Sequence, residues 1–285
     1  MTLSPYTLVH SRRKEPGAVP SSVSEALKNH GASTVFSLTE NRAAVDALAV
    51  RAKGSMKTVG IWDLGAWVGG LPDIVKAMNE AQSSLLFFEA QASLPAGITS
   101  SKRRVVEWSE ATLHKKLTAR QKRELTDAII DVDFFEFAKP VRKDLGVDYL
   151  IGLSPDAVAG EENDEEGHVV HSDFFCSFDA KTSLVSTVGL RELAEKAQRK
   201  FEFAIGFVIV SIMFSQLNGS RVGFHPDKGC LMDYNFNRET LAARLAEPSL
   251  CEDCVRKSKP EVLEIARALL KKLDKYPRAG AVRAG

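Results

Sequence analysis

Four residues toward the C-terminal end of the chain have types and spacing that suit a metal ion: His225, Cys230, Cys251 and Cys254. Cys251 and Cys254 form a C-x-x-C pair, whose short gap lets both sulfurs turn toward one point. His225 and Cys230 approach through a Pro-Asp-Lys-Gly loop. Three thiolates and an imidazole match zinc, which is of borderline softness and accepts a closed tetrahedron without electronic penalty. A C-x-x-C pair also serves redox chemistry, but there it follows a strand and opens a helix within a βαβ unit. Here it follows Ala-Glu-Pro-Ser-Leu. A disulfide or redox pair and unrelated buried thiols stand as the alternatives to one structural zinc per chain.

His168, His171 and Asp173 form a second candidate set. If the segment from Val169 to Phe174 is extended, side chains alternate between faces, so His171 and Asp173 point one way and His168 the other, a poor arrangement for three ligands. A metal-dependent hydrolase built around these residues, or around a neighbouring carboxylate such as Glu89, is the alternative function. The preceding Gly-Glu-Glu-Asn-Asp-Glu-Glu-Gly carries five carboxylates in eight residues. Mutual repulsion predicts an exposed loop, and the ligand intervals of a calcium loop are missing.

These groups must be positioned by an α/β framework. A helix is expected from Thr39 to Gly54, a strand over Thr58–Leu64, a helix over Leu71–Gln82 with Ile74, Val75 and Met78 on one face, and a strand over Leu85–Phe88: a βαβ unit. Between Ser100 and Asp144 the pattern is largely helical, with Leu113, Leu117, Leu125 and Ile129 at near-helical spacing. Residues 102–123 are the most basic region, and Trp108 could stack on a base. No aromatics interleave the basic side chains, so a solvated helix surface is the better reading and a nucleic-acid partner is not expected. A strand over Val147–Gly152 follows, then a strand pair around Asp179-Ala-Lys-Thr, with Cys176 a buried strand residue. Ser186 and Thr187 open one long helix, Leu190–Leu217, amphipathic at first and then apolar all round. A last helix starts at Pro260.

Composition sets the outer bounds. A chain of 285 residues with 44% hydrophobic content can bury a sizeable core, and a net charge of +1 gives no global pull toward nucleic acid or acidic lipid. No apolar run follows Met-Thr-Leu-Ser-Pro, and the solid apolar stretch Phe203–Phe214 is 12 residues, too short to span a bilayer. Neither a secretory signal nor a membrane span is expected. Four cysteines, three of them in the zinc set, fit a reducing cytoplasm. The expected organisation is a flexible arm over 1–22, a single domain over 23–276 with the zinc site at 225–254 and the C-terminal helix at 259–276, and a flexible tail over 277–285.

The stretch from His225 to Cys254 also resembles the archaemetzincin family of zinc metalloproteases, whose pattern reads H-E-x-x-H-x-x-G-x-x-x-C-x4-C-x-M-x17-C-x-x-C. His225 takes the place of the first cysteine, Cys230 the second, Met232 the methionine, and Cys251 and Cys254 the closing pair, with a last gap of 18 residues, one longer. Counting backwards, the family's two H-E-x-x-H histidines fall on Phe214 and Asn218, its glutamate on Ser215, its glycine on Arg221 and its third histidine on Phe224. No H-E-x-x-H occurs anywhere in the chain. The resemblance implies a metzincin-like mixed sheet with a long central helix and a C-terminal structural zinc, from which the catalytic ligands and base are missing. It further implies an inactive relative that binds a protein or peptide partner.

Overall fold

The computed structural model describes residues 56–90, 92, 98–164, 167–235 and 238–277. The expected arm, the helix from Thr39 and the tail beyond Pro277 lie outside them. The fold is mixed α/β. A five-stranded sheet has the order β2-β1-β4-β8-β7, from β1 (Lys57–Asp63), β2 (Leu85–Ala90), β4 (Tyr149–Ser154), β7 (Cys176–Phe178) and β8 (Thr182–Ser186). Its first four strands run parallel and β7 closes one edge antiparallel to β8. A smaller sheet orders β3 (Ala128–Ile130), β5 (Ala157–Asp164) and β6 (Gly167–Phe174).

Alternation along the parallel strands explains the layers. In β1, Val59 and Ile61 join the core shared with α1 (Leu71–Ala81), while Trp62 joins the core on the opposite face. In β4, Ile151 and Leu153 take the first side and Leu150 the second. A parallel sheet buried on both faces needs such two-sided strands. After α2 (Lys102–Thr112) and α3 (Ala119–Glu124), the second face is covered by α4 (Asp131–Leu145), through Phe134, Ala138 and Val141.

Three expectations change in the structure. Ser100 to Asp144 is largely helical as expected, but in three helices rather than one run through residues 109–132. Chain direction reverses after α2, where His114 takes a positive φ of 51, and Ile129 lies in β3, since Ala128, Ile129 and Ile130 are apolar enough to be buried between layers. As far as Asp164 the acidic run is strand, not loop. Ala157, Val158 and Ala159 anchor β5 in the core, and pairing with β6 carries the strand outward as far as Asp164 opposite Gly167. The long helix is broken in two, α5 (Leu190–Lys196) and α6 (Phe201–Asn218), by a turn at Gln198 with φ 55.

The break has a physical reason. It turns Arg199 inward, where the side chain is 1% exposed and donates to Asp274 Oδ1 at 2.5 Å and to the Ala246 carbonyl at 3.1 Å. Its guanidinium also lies 4.6 Å over the Phe203 ring. A charge that deep persists only when paired and hydrogen-bonded. Beyond the break, α6 is buried on every side apart from Glu202 and Gln216. It packs on α1, on α5 and on the C-terminal helix α9 (Pro260–Asp274), and shares one core with Val59, Ile61, Ile151 and Leu153 of the sheet. Among the described residues α6 alone is long and apolar enough to cross a membrane, and 83% of it is buried inside the fold.

The framework also buries an acid. Asp131, the first residue of α4, accepts from the Ser177 hydroxyl at 2.7 Å, and burial pushes its carboxyl up to about 6 despite that bond. A native-state value raised from 3.8 means that the folded chain binds the proton more tightly than the unfolded one between about pH 4 and pH 6. Stability from this group therefore falls as pH rises through that window, by about 3 kcal/mol in all. Asp131→Asn is expected to gain on the parent chain between pH 4 and pH 7 in urea unfolding. A stability difference that stays constant with pH would remove Asp131 as the cause.

Candidate metal centre

The four donors lie in three pieces of chain that only the fold brings together. His225 follows the 3-10 turn Gly219–Arg221 at the end of α6, Cys230 sits in the next loop, and Cys251 and Cys254 flank the start of α8 (Glu252–Lys257). Cys251 is the N-cap and Cys254 falls in the first turn, so the two-residue gap places both sulfurs at one helix end. The ligand atoms of all four residues lie within 4.8 Å of one another, and together they can hold a metal ion. His225 Nε2 stands 3.5 Å from Cys251 Sγ and 3.3 Å from Cys254 Sγ. Zinc bonds to sulfur and nitrogen at a tetrahedral angle separate those atoms by roughly 3.6 Å.

The surroundings orient the donors. His225 Nδ1 is 2.8 Å from the Pro226 carbonyl oxygen and 3.4 Å from Asp233 Oδ1, so a metal bound among the sulfurs would find the ring proton on Nδ1 and take the Nε2 lone pair. Cys230 Sγ accepts from the backbone N–H groups of Cys251 at 3.2 Å and Met232 at 3.4 Å. Asp233, 1% exposed, accepts from the N–H groups of Lys228 at 3.0 Å, Gly229 at 2.8 Å and Cys230 at 2.9 Å. One carboxylate thus folds the loop and steadies the imidazole. Gly229 has φ 85 and an added Cβ would meet Arg244 at 2.5 Å, which is why the Pro-Asp-Lys-Gly loop ends in glycine. Lys228 reaches Asp253 on α8, and Leu231 N–H donates to the Ser249 carbonyl at 2.7 Å, tying the two donor-bearing segments together.

Electrostatics agrees with a cation at the centre. Hydrogen bonds from the Cys254 thiol and from His225 hold Cys230 down to about 4, and the Cys230 sulfur in turn pulls His225 up to about 9. The hydrogen bond that the Cys254 thiol gives to Cys230, then burial and the Cys230 charge, push Cys254 far above the ordinary thiol range. Three sulfurs this close cannot all ionise unless a cation neutralises them, which is what a bound divalent metal does. The donor set, the Nδ1 anchor and the N–H bonds to sulfur all fit zinc.

The positions that the resemblance aligns with catalytic ligands are elsewhere engaged. Phe214 is buried in the core of α6. The Ser215 hydroxyl donates to the Val222 carbonyl at 3.2 Å. Asn218 accepts from Lys259 N–H at 2.8 Å and from the Ser258 hydroxyl at 3.1 Å, joining the end of α6 to the start of α9. Phe224 packs against Phe178 and Tyr234. Met232 is fully buried directly after the Cys230 loop.

The second set is placed differently. His171 and Asp173 lie on β6 and line a groove of about 500 Å³ against α2 and α3, with the His171 ring 5.5 Å from that of Phe174. The His168 side chain lies outside the described residues. Among the described residues, no group of three or more donors includes His171 and Asp173. Glu89 is on β2, where burial and then Asp63 raise its carboxyl. Cys176 is in strand β7 as expected but is half-buried rather than buried; desolvation of its sulfur pushes the thiol up to about 12. Sequence reasoning missed Asp233, although an acid three residues beyond a loop cysteine is the signal of a side chain that can cap backbone N–H groups.

No protein-family model matches the chain, and no curated protein matches it. Among solved structures it is similar to the crystal structure of a zinc-dependent peptidase from Methanocorpusculum labreanum (strain Z). The identity is 12%, the likeness covers 70% of this chain and 98% of that one, and the TM-score is 0.38. A likeness that distant carries no argument about what this chain does.

Asp233→Ala leaves three backbone donors unsatisfied and frees the His225 ring. Metal affinity is expected to fall by about 10- to 100-fold, read by chelator competition. Asp233→Asn retains one acceptor oxygen and is expected to lose less. Equal affinity in all three proteins would show that the loop is held by other means.

Proposed function

We propose that the chain is a catalytically inert, metzincin-like binding module, folded around one structural zinc and acting in the cytoplasm on a protein or peptide partner. The observation that supports this reading is the convergence of four protein donors. Catalytic zinc is held by three, with an open position for water and a carboxylate or similar base nearby. A Cys3His set closes the tetrahedron. On α6, where the family pattern would place two histidines and a glutamate, Phe214, Ser215 and Asn218 serve packing and helix-end hydrogen bonds.

The basic region fits a solvated surface better than a nucleic-acid face. Lys116 and Lys122 both pair with Glu110, Arg120 with Glu124, Arg103 with Glu107 and Arg104 with Asp133, so their charge is met locally. The burial of α6 supports a chain that does not cross a membrane. The second reading, a metal-dependent hydrolase around His168, His171 and Asp173, is favoured by one observation: His171 and Asp173 share a groove large enough for a substrate.

Native mass spectrometry of protein purified without added metal is expected to give one zinc per chain, lost only on unfolding. Structural zinc contributes roughly 10 to 16 kcal/mol to folding in small modules, so Cys251→Ser is expected to lower both zinc content and soluble yield. Normal zinc content and stability in that variant would remove Cys251 from the ligand set. Peptide-cleavage assays are expected to stay at background with and without added metal. Zinc-dependent cleavage abolished by His171→Ala would replace the first reading with the second.

A further inference from the structure

Beside the metal loop lies a cavity of about 100 Å³ that the zinc reading does not use. It is of the order of an engineered cavity, about 150 Å³, that takes up one benzene. Its walls come from β7, from the middle of α6 and from the residues that flank His225 and Cys230. Aromatic rings dominate it: Phe178 and Phe224 have centroids 5.8 Å apart, and Phe224 and Tyr234 6.1 Å. Phe178, Phe224 and Tyr234 are only half-buried, so the cavity opens to solvent.

The charged side chains lining it are both acidic, Glu161 and Asp233; neither lysine nor arginine lines it. Ser177 adds an acceptor, because its hydroxyl proton is given to the buried Asp131 behind it. Ring faces attract weakly hydrated cations, and a carboxylate beside them adds Coulomb attraction. A small metal ion is poorly served, since apolar walls cannot replace its oxygen shell.

We propose that this cavity binds the head of an organic cation, an alkylated ammonium group of about the size of trimethylammonium, seated against the contiguous ring wall of Phe178, Phe224 and Tyr234 with Glu161 as counter-charge. The inference goes beyond the zinc module, and measuring cation binding and zinc content separately distinguishes a failure of one from a failure of the other. Tetramethylammonium and choline are titrated into the full, metal-loaded chain by calorimetry and ligand-observed NMR, with 3,3-dimethyl-1-butanol as the uncharged counterpart of choline. Saturable one-site binding of both cations is expected, with the alcohol and the variants Phe178→Leu and Glu161→Gln each weaker by about 3- to 30-fold. Nα-acetyl-trimethyllysine amide and glycerophosphocholine then separate a side-chain source from a headgroup source, and binding of either supports the site. Zinc content and melting temperature are measured on the same samples, so a failed variant is recognised and Phe224→Leu replaces it. Equal binding of alcohol and choline, cation binding unchanged in every folded variant, or no saturable binding would each overturn the proposal.

Discussion

Helix α6 is apolar around its whole circumference, and that constraint organises the molecule. A helix with a single polar face can rest on a sheet and meet water on the other side. One with buried residues in every direction must be enclosed, or it exposes apolar area at roughly 25 cal/mol per Å². The parallel sheet takes one side of α6, and α1 and α9 take others. Further cover comes from α5 and from the irregular chain after Asn218, through Val222, Leu231 and Met232, all buried in the same core. Irregular chain is poor cover, because its backbone polar groups need partners.

The metal centre addresses that weakness. The described residues of 222–258 have little regular structure of their own between α6 and α9 apart from α7 (Arg238–Ala246) and the short α8. Asp233 satisfies three of their N–H groups, Cys230 Sγ accepts two more, and Asn218 binds the far end at Lys259. A metal at the four donors fixes His225, Cys230 and the start of α8 to one point, which restrains a loop that hydrophobic burial alone holds loosely. In this arrangement zinc would belong to folding, as a clamp on the lid of the core.

How much of this was legible in the sequence follows from which interactions are local. The βαβ unit and α9 were readable because their periodicity and their proline and glycine boundaries lie within each segment. The donor set was readable because Cys and His in that spacing have few other uses. The break at Gln198 was not, since it depends on burying Arg199 against Asp274, 75 residues away. Nor was β3, whose Ile129 sits at helical spacing from Leu125 but pairs beside β5. The hairpin was hidden by charge: repulsion among its carboxylates argues for a loop until β3 and β6 are known to flank the strand. Asp233 was overlooked because its partners are backbone groups, which composition does not reveal.

The metal loop and the neighbouring cavity are one construction. Leu231 and Asp233 line the cavity, Cys230 next to them carries a donor sulfur, and Asp233 also steadies the His225 ring. Whatever fixes the donors therefore fixes part of the cavity wall. A wall held in one conformation spares a ligand the cost of ordering it, which is the main way rigid sites gain affinity. The converse follows from linkage: any ligand that prefers the ordered loop must favour metal retention by the same factor. Catalytic zinc needs an open position, whereas the proposed reading gives this centre four protein donors and a closed tetrahedron. A saturated metal can hold a recognition surface still without competing for what binds there, and that division of labour is consistent with donors packed into 225–254 and an aromatic, acidic cavity beside them.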